Sequence, residues 1–144
     1  MRPLVFLGGT CNGSTWRCEL IPQLEKENIP YFNPVVKNWT VEDQNKEREI
    51  KMMPNVVGLY VLTSAMTGSF SVAEAVDSSN KRPASTVFYY RPMGFTTGQM
   101  KSLEAISEML RDNGAHVVKN FDSVVGCLKR VTETWDSVNK RFGK

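Results

Sequence analysis

The run from Val56 to Thr63, Val-Val-Gly-Leu-Tyr-Val-Leu-Thr, is apolar almost throughout. A strand with one wet face alternates apolar and polar side chains, whereas an unbroken apolar run of strand length has to be covered on both faces. Cover on both faces is the signature of a parallel sheet, whose strands are joined by crossover helices. This one stretch points the chain toward an α/β architecture.

The sequence on either side alternates accordingly. Pro3 to Gly8 is an apolar run ending in Gly8-Gly9, which predicts a buried strand followed by a turn. Ser14 or Thr15 can cap a helix to about Asn28 with Cys18, Ile21 and Leu24 on one face; Pro22 either interrupts it or sits early enough to be tolerated. Ile29 to Phe32, closed by Asn33-Pro34, reads as a second strand, and Thr40 or Asp43 opens a polar helix to about Met53. Beyond the third strand, a polar turn over Ser64–Ser69 leads into a helix from Phe70 to Asn80. Thr86–Tyr90 follows as a strand, Gly98–Asp112 as an amphipathic helix, Ala115–Val118 as a fifth strand, and Phe121 to about Phe142 as the last helix. The order predicts a doubly wound (flavodoxin/Rossmann-like) α/β fold with a five-stranded parallel sheet flanked by helices. At 144 residues and 16.3 kDa, residues 1–144 fit a single domain that needs no covalent staples.

Several function classes fall away. The formal charge is +3, and the cations toward the C-terminus, Lys129, Arg130, Lys140, Arg141 and Lys144, alternate with acids at helical spacing. That is the pattern of a solvated helix face; no compact basic stripe interleaved with aromatics appears, so no nucleic-acid partner is expected. The three cysteines, Cys11, Cys18 and Cys127, form neither an even set nor a C-x-x-C pair, which argues against a disulfide framework or a zinc site. His116 is the sole histidine, read as a core or edge residue of the fifth strand, so a His-rich metal site and a Ser-His-Asp triad are not expected. The apolar stretch Leu4–Leu7 is too short for a signal-peptide core or a membrane span, which predicts a cytoplasmic protein with no membrane partner.

Open parallel sheets bind ligands where loops leave the carboxyl ends of their strands. Four segments qualify: Gly8–Thr15, Asn33–Asp43, Thr63–Glu74 and Arg91–Thr97. The first, Gly8-Gly9-Thr10-Cys11-Asn12-Gly13-Ser14-Thr15, is rich in glycine and hydroxyls. Glycine lets backbone approach a ligand, although a plain tight turn would also use Gly-Gly. The third segment places Thr63, Ser64, Thr67, Gly68, Ser69 and Ser71 ahead of Glu74, which either favours the helix dipole from the surface or points into the cleft. The second supplies Trp39, Glu42, Asp43, Glu47 and Glu49. A carboxylate from that loop facing Glu74 would make the acid/base pair that glycosyl transfer needs, while the same charges also suit an exposed helix face.

Five segments, in order, carry a resemblance. Phe6-Leu7-Gly8-Gly9-Thr10, Trp16, Tyr31-Phe32-Asn33-Pro34 with Trp39, Leu59-Tyr60-Val61-Leu62-Thr63, and Gly68-Ser69-Phe70-Ser71-Val72-Ala73-Glu74 resemble the nucleoside 2-deoxyribosyltransferase superfamily, closest to its small deoxyribosyltransferase-like branch, over about residues 4–90. The resemblance implies cleavage of the N-glycosidic bond of a 2-deoxynucleoside and transfer of the sugar to another base, or to water in hydrolase relatives. It implies that Glu74 is the nucleophile and that an acid from the second loop, Glu47 first and Asp43 second, assists the departing base. Gly8, Gly9 and Thr10 would line the sugar side, and Asn33 and Trp39 the base, with Trp39 as a stacking face. Where the transferases carry an acid six places before the nucleophile to hold the 5′-hydroxyl, this chain has Gly68. Thr67, Ser69 and Ser71 could instead bind a phosphate, as in the 5′-monophosphate hydrolases of the superfamily, and a non-catalytic nucleotide-binding module is the alternative outside enzymes. The resemblance also implies a homo-oligomer that completes the pocket, and no metal or organic cofactor. Tyr90–Phe95, which leaves the fourth strand with exposed apolar groups, reads either as the contact segment or as a loop packing on its own subunit.

Overall fold

The computed structural model describes residues 2–11 and 13–141, with side chains through Val138. Asn12 of the first loop, Phe142 at the expected end of the last helix, the side chains of Lys140 and Arg141, and Lys144 lie outside that description.

Strands β1 (Leu4–Gly9), β2 (Tyr31–Phe32), β3 (Val56–Leu62), β4 (Thr86–Tyr90) and β5 (His116–Val117) form one sheet in the order β2-β1-β3-β4-β5, every pair parallel. Helices α1 (Trp16–Lys26), α2 (Val41–Met52), α3 (Phe70–Lys81), α4 (Thr97–Asp112) and α5 (Val124–Arg141) connect and cover it. This is the doubly wound architecture that the apolar runs predict, and β3, from which the prediction starts, is buried at every residue.

Alternation along the strands sorts side chains between two cores. Val5, Leu7, Val57, Leu59 and Val61 face α1 and α5, packing on Trp16, Leu20 and Leu24 from the first and Val124, Leu128 and Val131 from the second. Each such aliphatic side chain, fully buried, contributes roughly 1.5–3 kcal/mol. Tyr60, Leu62 and Phe88 face the other way, onto Ala75 of α3 and Leu103 and Leu110 of α4. The third helix on that side, α2, buries none of its side chains. Its sequence, VEDQNKEREIKM, offers too few apolar residues to seal the sheet, so the strip beneath it stays open and becomes the floor of a cavity.

Most boundaries fall within a residue of the sequence reading, and the fifth strand shrinks to His116–Val117; three others differ for local reasons. Helix α1 runs through Pro22, which is exposed, and stops at Lys26. Asn28 takes a left-handed conformation (φ 55°), so its N–H reaches the Glu25 carbonyl and that of Ile29 the Leu24 carbonyl, closing the helix with a Schellman motif. The second strand therefore shrinks to Tyr31–Phe32, with Ile29 spent on the core. The last helix is preceded by a short 3-10 turn over Phe121–Ser123. His116 is exposed on the edge strand, its Nε2 3.2 Å from the Ala84 carbonyl oxygen. Lys129 pairs with Glu27 at 3.0 Å, in keeping with a charged outer helix face. No helix among the described residues is long and apolar enough to cross a membrane.

Candidate functional site

In the order 2-1-3-4-5 the chain reverses direction across the sheet at β1, so the connections leaving β1 and β3 pass to opposite faces and leave a crevice between them. A cavity of about 820 Å³ occupies this crevice and extends under α2, along the face of the sheet. Its floor is built from Phe6, Gly8, Gly58 and Tyr60, and its walls from α2 and α3. Gly8 is required there. A Cβ at this position would lie 2.8 Å from two carbons of the Tyr60 ring, which rests against the strand backbone. Gly9 has φ +120°, and a Cβ on it would lie 2.0 Å from the Val61 carbonyl oxygen.

Glu74 enters the cavity from α3. It stands at the fifth residue of that helix, past the first turn, and its carboxylate caps no backbone N–H; its Oε2 instead accepts a hydrogen bond from Lys51 Nζ in an ion pair. The Glu74 side chain is 15% exposed and that of Lys51 28%, so the pair sits largely out of bulk water. Of the two alternatives for Glu74, surface cap or cleft residue, the geometry places it in the cleft.

The opposite wall is α2. Glu47 and Lys51 both line the cavity, one helical turn apart on one face. Trp39, in the loop before α2, donates its indole N–H to Glu47 Oε2 at 2.7 Å and is itself 57% exposed at the mouth of the cavity. Asp43 is placed differently. It is the third helical residue of α2, and its Oδ2 accepts hydrogen bonds from the backbone N–H and the hydroxyl of Thr40, each at 2.9 Å, while its own N–H donates to Thr40 Oγ1 at 3.2 Å. This reciprocal capping box occupies the carboxylate, and Asp43 does not line the cavity.

The structure thus gathers Glu74, Glu47, Gly8, Gly9, Trp39 and Ser71 around one space. It leaves Asp43, Thr10, Asn33, Thr67 and Ser69 out of the lining. Thr10 is a buried tie: its hydroxyl accepts from the Thr63 N–H at 3.0 Å, locking the end of β1 to the end of β3. Asn33 Oδ1 accepts from the Val35 N–H at 3.1 Å and shapes the turn after β2. Ser69 is the N-cap of α3, where its carbonyl accepts from Val72 and Ala73. The fourth predicted loop segment faces elsewhere: Arg91, Met93 and Gly94 border a separate cleft of about 300 Å³ with Ser14, Thr15 and Ser64.

Three contributors escape the sequence reading. Lys51 is one. Arg17 is another: 6% exposed, it donates to the carbonyls of Leu7 (Nε 3.0 Å, Nη2 2.9 Å), Thr10 (Nη1 2.8 Å) and Gly9 (Nη2 3.3 Å), and so holds the Gly8-Gly9-Thr10 turn from behind. Burial lowers its pKa below the ordinary value, opposed by the nearby charges or potential charges of Cys11, Glu47 and Glu74. A cation in the first turn of a helix runs against the helix dipole, and this is the signal that could have singled it out. Tyr60 is the third. Its phenol is pushed up to about 12, chiefly by burial and next by the negative charge of Glu74.

Chemically, the cavity presents a carboxylate nucleophile candidate on one wall, a second carboxylate on the facing wall, and an exposed indole at the entrance. Among the described residues no group of three His, Cys, Asp or Glu side chains is placed to hold a metal ion.

A family model described as nucleoside 2-deoxyribosyltransferase like matches residues 2–83, more than half of the chain. The matched span runs from before β1 to the end of α3, and so contains Arg17, Trp39, Glu47, Lys51 and Glu74. No curated protein and no solved structure matches the chain.

Proposed function

Because the chain belongs to the nucleoside 2-deoxyribosyltransferase-like family, we propose that it cleaves the N-glycosidic bond of a 2-deoxynucleoside or nucleotide through a covalent glycosyl-Glu74 intermediate and passes the sugar to another base. The observation that carries this reading is the placement of Glu74, a carboxylate largely withdrawn from solvent on one wall of the crevice, with Glu47 on the other. A Glu74 oxygen attacks the anomeric carbon, and the electron pair of the C–N bond leaves with the base. Glu47 supplies the proton that the base takes up; Asp43, bound in its capping box, is the poorer candidate. Trp39 stacks on the base at the mouth. A second base then attacks the same carbon and returns Glu74 to its carboxylate. Much of the acceleration comes from holding sugar and carboxylate in line.

A second reading, hydrolysis of a nucleoside 5′-monophosphate, is favoured by one specific observation. The cavity lining includes Arg17, Arg48, Lys51, Lys81 and Arg82 against Glu47, Glu74 and Asp77, and among the described residues Arg48 has no hydrogen bond or ion pair. A free guanidinium beside the cavity suits a phosphate. The exposed apolar groups at the mouth, Trp39, Met52 and Phe70, are the surface that a second copy of the chain would cover, and a cytoplasmic homo-oligomer belongs to the same proposal.

The test is base exchange. The protein is incubated with a 2′-deoxynucleoside and a different free base, and released base and exchanged nucleoside are followed by chromatography. Exchange supports transfer; release without exchange supports hydrolysis. Absence of both across deoxynucleosides, ribonucleosides and their monophosphates would overturn the enzyme reading.

A further inference from the structure

Lys51 is bonded to one carboxylate and stands one helical turn from a second. Its ammonium bonds Oε2 of Glu74 across the cavity, and on its own helix Glu47 stands four residues earlier on the same face, the orientation in which Glu and Lys attract best. The stem reaches Glu74 past two aromatic rings, with Nζ 5.0 Å from the Phe6 centroid and 5.9 Å from that of Phe70. Glu47 is held toward the cavity by Trp39 at 2.7 Å. Of the other cations that line the cavity, Arg17 is bonded to strand carbonyls, Lys81 to Asp77 and Arg82 to the Met53 and Val56 carbonyls, so Lys51 is the cation to which Glu74 is bonded. In a space this sheltered, a charge left without a partner costs more than it would in water.

We propose that Lys51 is a positioning residue that serves as the shared counter-ion of Glu74 and Glu47 and makes Glu74 a competent leaving group when the glycosyl-enzyme breaks down. The inference rests on the reading of Glu74 as nucleophile given above. The reacting form that the step requires has Glu74 as the anion, neutralised by Lys51, and the transferable proton on Glu47. As the C–O bond to the sugar forms and the C–N bond breaks, the base leaves with the electron pair and takes the Glu47 proton. Glu74 is then a neutral ester and Glu47 an anion, and Lys51 turns to Glu47. In the second half, a nitrogen of the incoming base attacks the anomeric carbon, the C–O bond breaks, its electron pair returns to Glu74, and the proton of the incoming base goes to Glu47. Lys51 returns to Glu74 as its charge develops. The three side chains sum to zero in both states, and the cation is needed most where a carboxylate has to depart.

The experiment separates the two halves. Deoxyadenosine, deoxyguanosine, deoxycytidine and thymidine are supplied in turn, each with an excess of a different free base as acceptor, base release is followed by rapid quench, and the protein is examined by intact mass spectrometry for a covalent sugar. Lys51→Met is expected to release a burst of base equivalent to the enzyme, then slow by about 10²-fold in the steady state, with the sugar adduct becoming the dominant species. Lys51→Gln, which keeps a donor to Glu74 and loses the charge, has to behave the same way, whereas Lys51→Arg restores turnover and removes the adduct. If the Gln variant turns over like the wild type, or if the Met variant slows the first release of base without adduct, Lys51 is not the counter-ion, and the function proposed for Glu74 stands without it. If the wild type releases no base from any substrate, the glycosyl-transfer reading falls and this inference with it. Thermal melts of each variant confirm that a folded protein is being compared.

Discussion

The indole N–H of Trp39 and Oε2 of Glu47 are 2.7 Å apart, which ties the loop after β2 to the middle of α2 although that helix buries no side chain. This contact and the Lys51–Glu74 ion pair hold α2 over the open strip of sheet mainly by polar bonds. A wall attached in this way can yield to a ligand at small cost, because it gives up little buried apolar surface when it moves. The floor is the opposite case, with Tyr60 and the strand beneath it buried among α3 and α4.

Replacing Glu74 by Gln is expected to lower turnover by about 10³-fold or more, since an amide cannot form the glycosyl ester. The ion pair with Lys51 is lost but a hydrogen bond remains, so the stability cost stays near 1 kcal/mol and the melting temperature falls by only about 3 °C. Turnover assays and thermal melts on the same preparation check both parts. Unchanged activity would remove Glu74 from the chemistry.

Arg17→Met should do the reverse and act on stability first. It leaves the carbonyls of Leu7, Gly9 and Thr10 without the buried guanidinium that joins them. A loss of roughly 2–3 kcal/mol and a fall in melting temperature of about 6–9 °C are expected. Denaturant unfolding measures it; a cost below about 1 kcal/mol would show that the turn after β1 holds itself.

Tyr60 predicts an alkaline weakness. Its phenol titrates near 10.0 in the unfolded chain and is pushed up to about 12 in the fold. Between those values the native state holds a proton that the unfolded state has released, so stability is whole below pH 10 and is lost as pH rises toward 12. The loss is about 1.4 kcal/mol by pH 11 and about 2–3 kcal/mol in full. Unfolding free energies at pH 9 and pH 11 for the wild type and Tyr60→Phe isolate this contribution, and the variant should show a correspondingly shallower decline. Equal slopes would mean that Tyr60 ionises as freely in the fold as outside it.

Much of the fold is legible along the chain because its causes are local. An unbroken apolar run such as Val56–Thr63 states that both faces are covered, and alternation with helical segments then settles a parallel, doubly wound sheet. The capping of α2 is equally local: Thr40-Val41-Glu42-Asp43 has the spacing of a capping box, and that pattern already separates Asp43 from Glu47. Glu74 could be singled out because it follows the loop after β3, where ligands of such sheets collect. What the sequence by itself determined, then, was the architecture and the position of one carboxylate on it.

Only the tertiary structure decided what faces that carboxylate. Lys51 and Glu74 are 23 residues apart on different helices, and no periodicity within either helix says that they meet. Arg17 belongs to α1, which packs on the opposite face of the sheet from α3, yet its long side chain reaches the carbonyls at the end of β1. The physical reason is the same in both cases. Patterning records whether a side chain is wet or dry, whereas a charge's partner depends on how far two helices stand apart across a sheet, and here that spacing follows from an α2 too polar to pack.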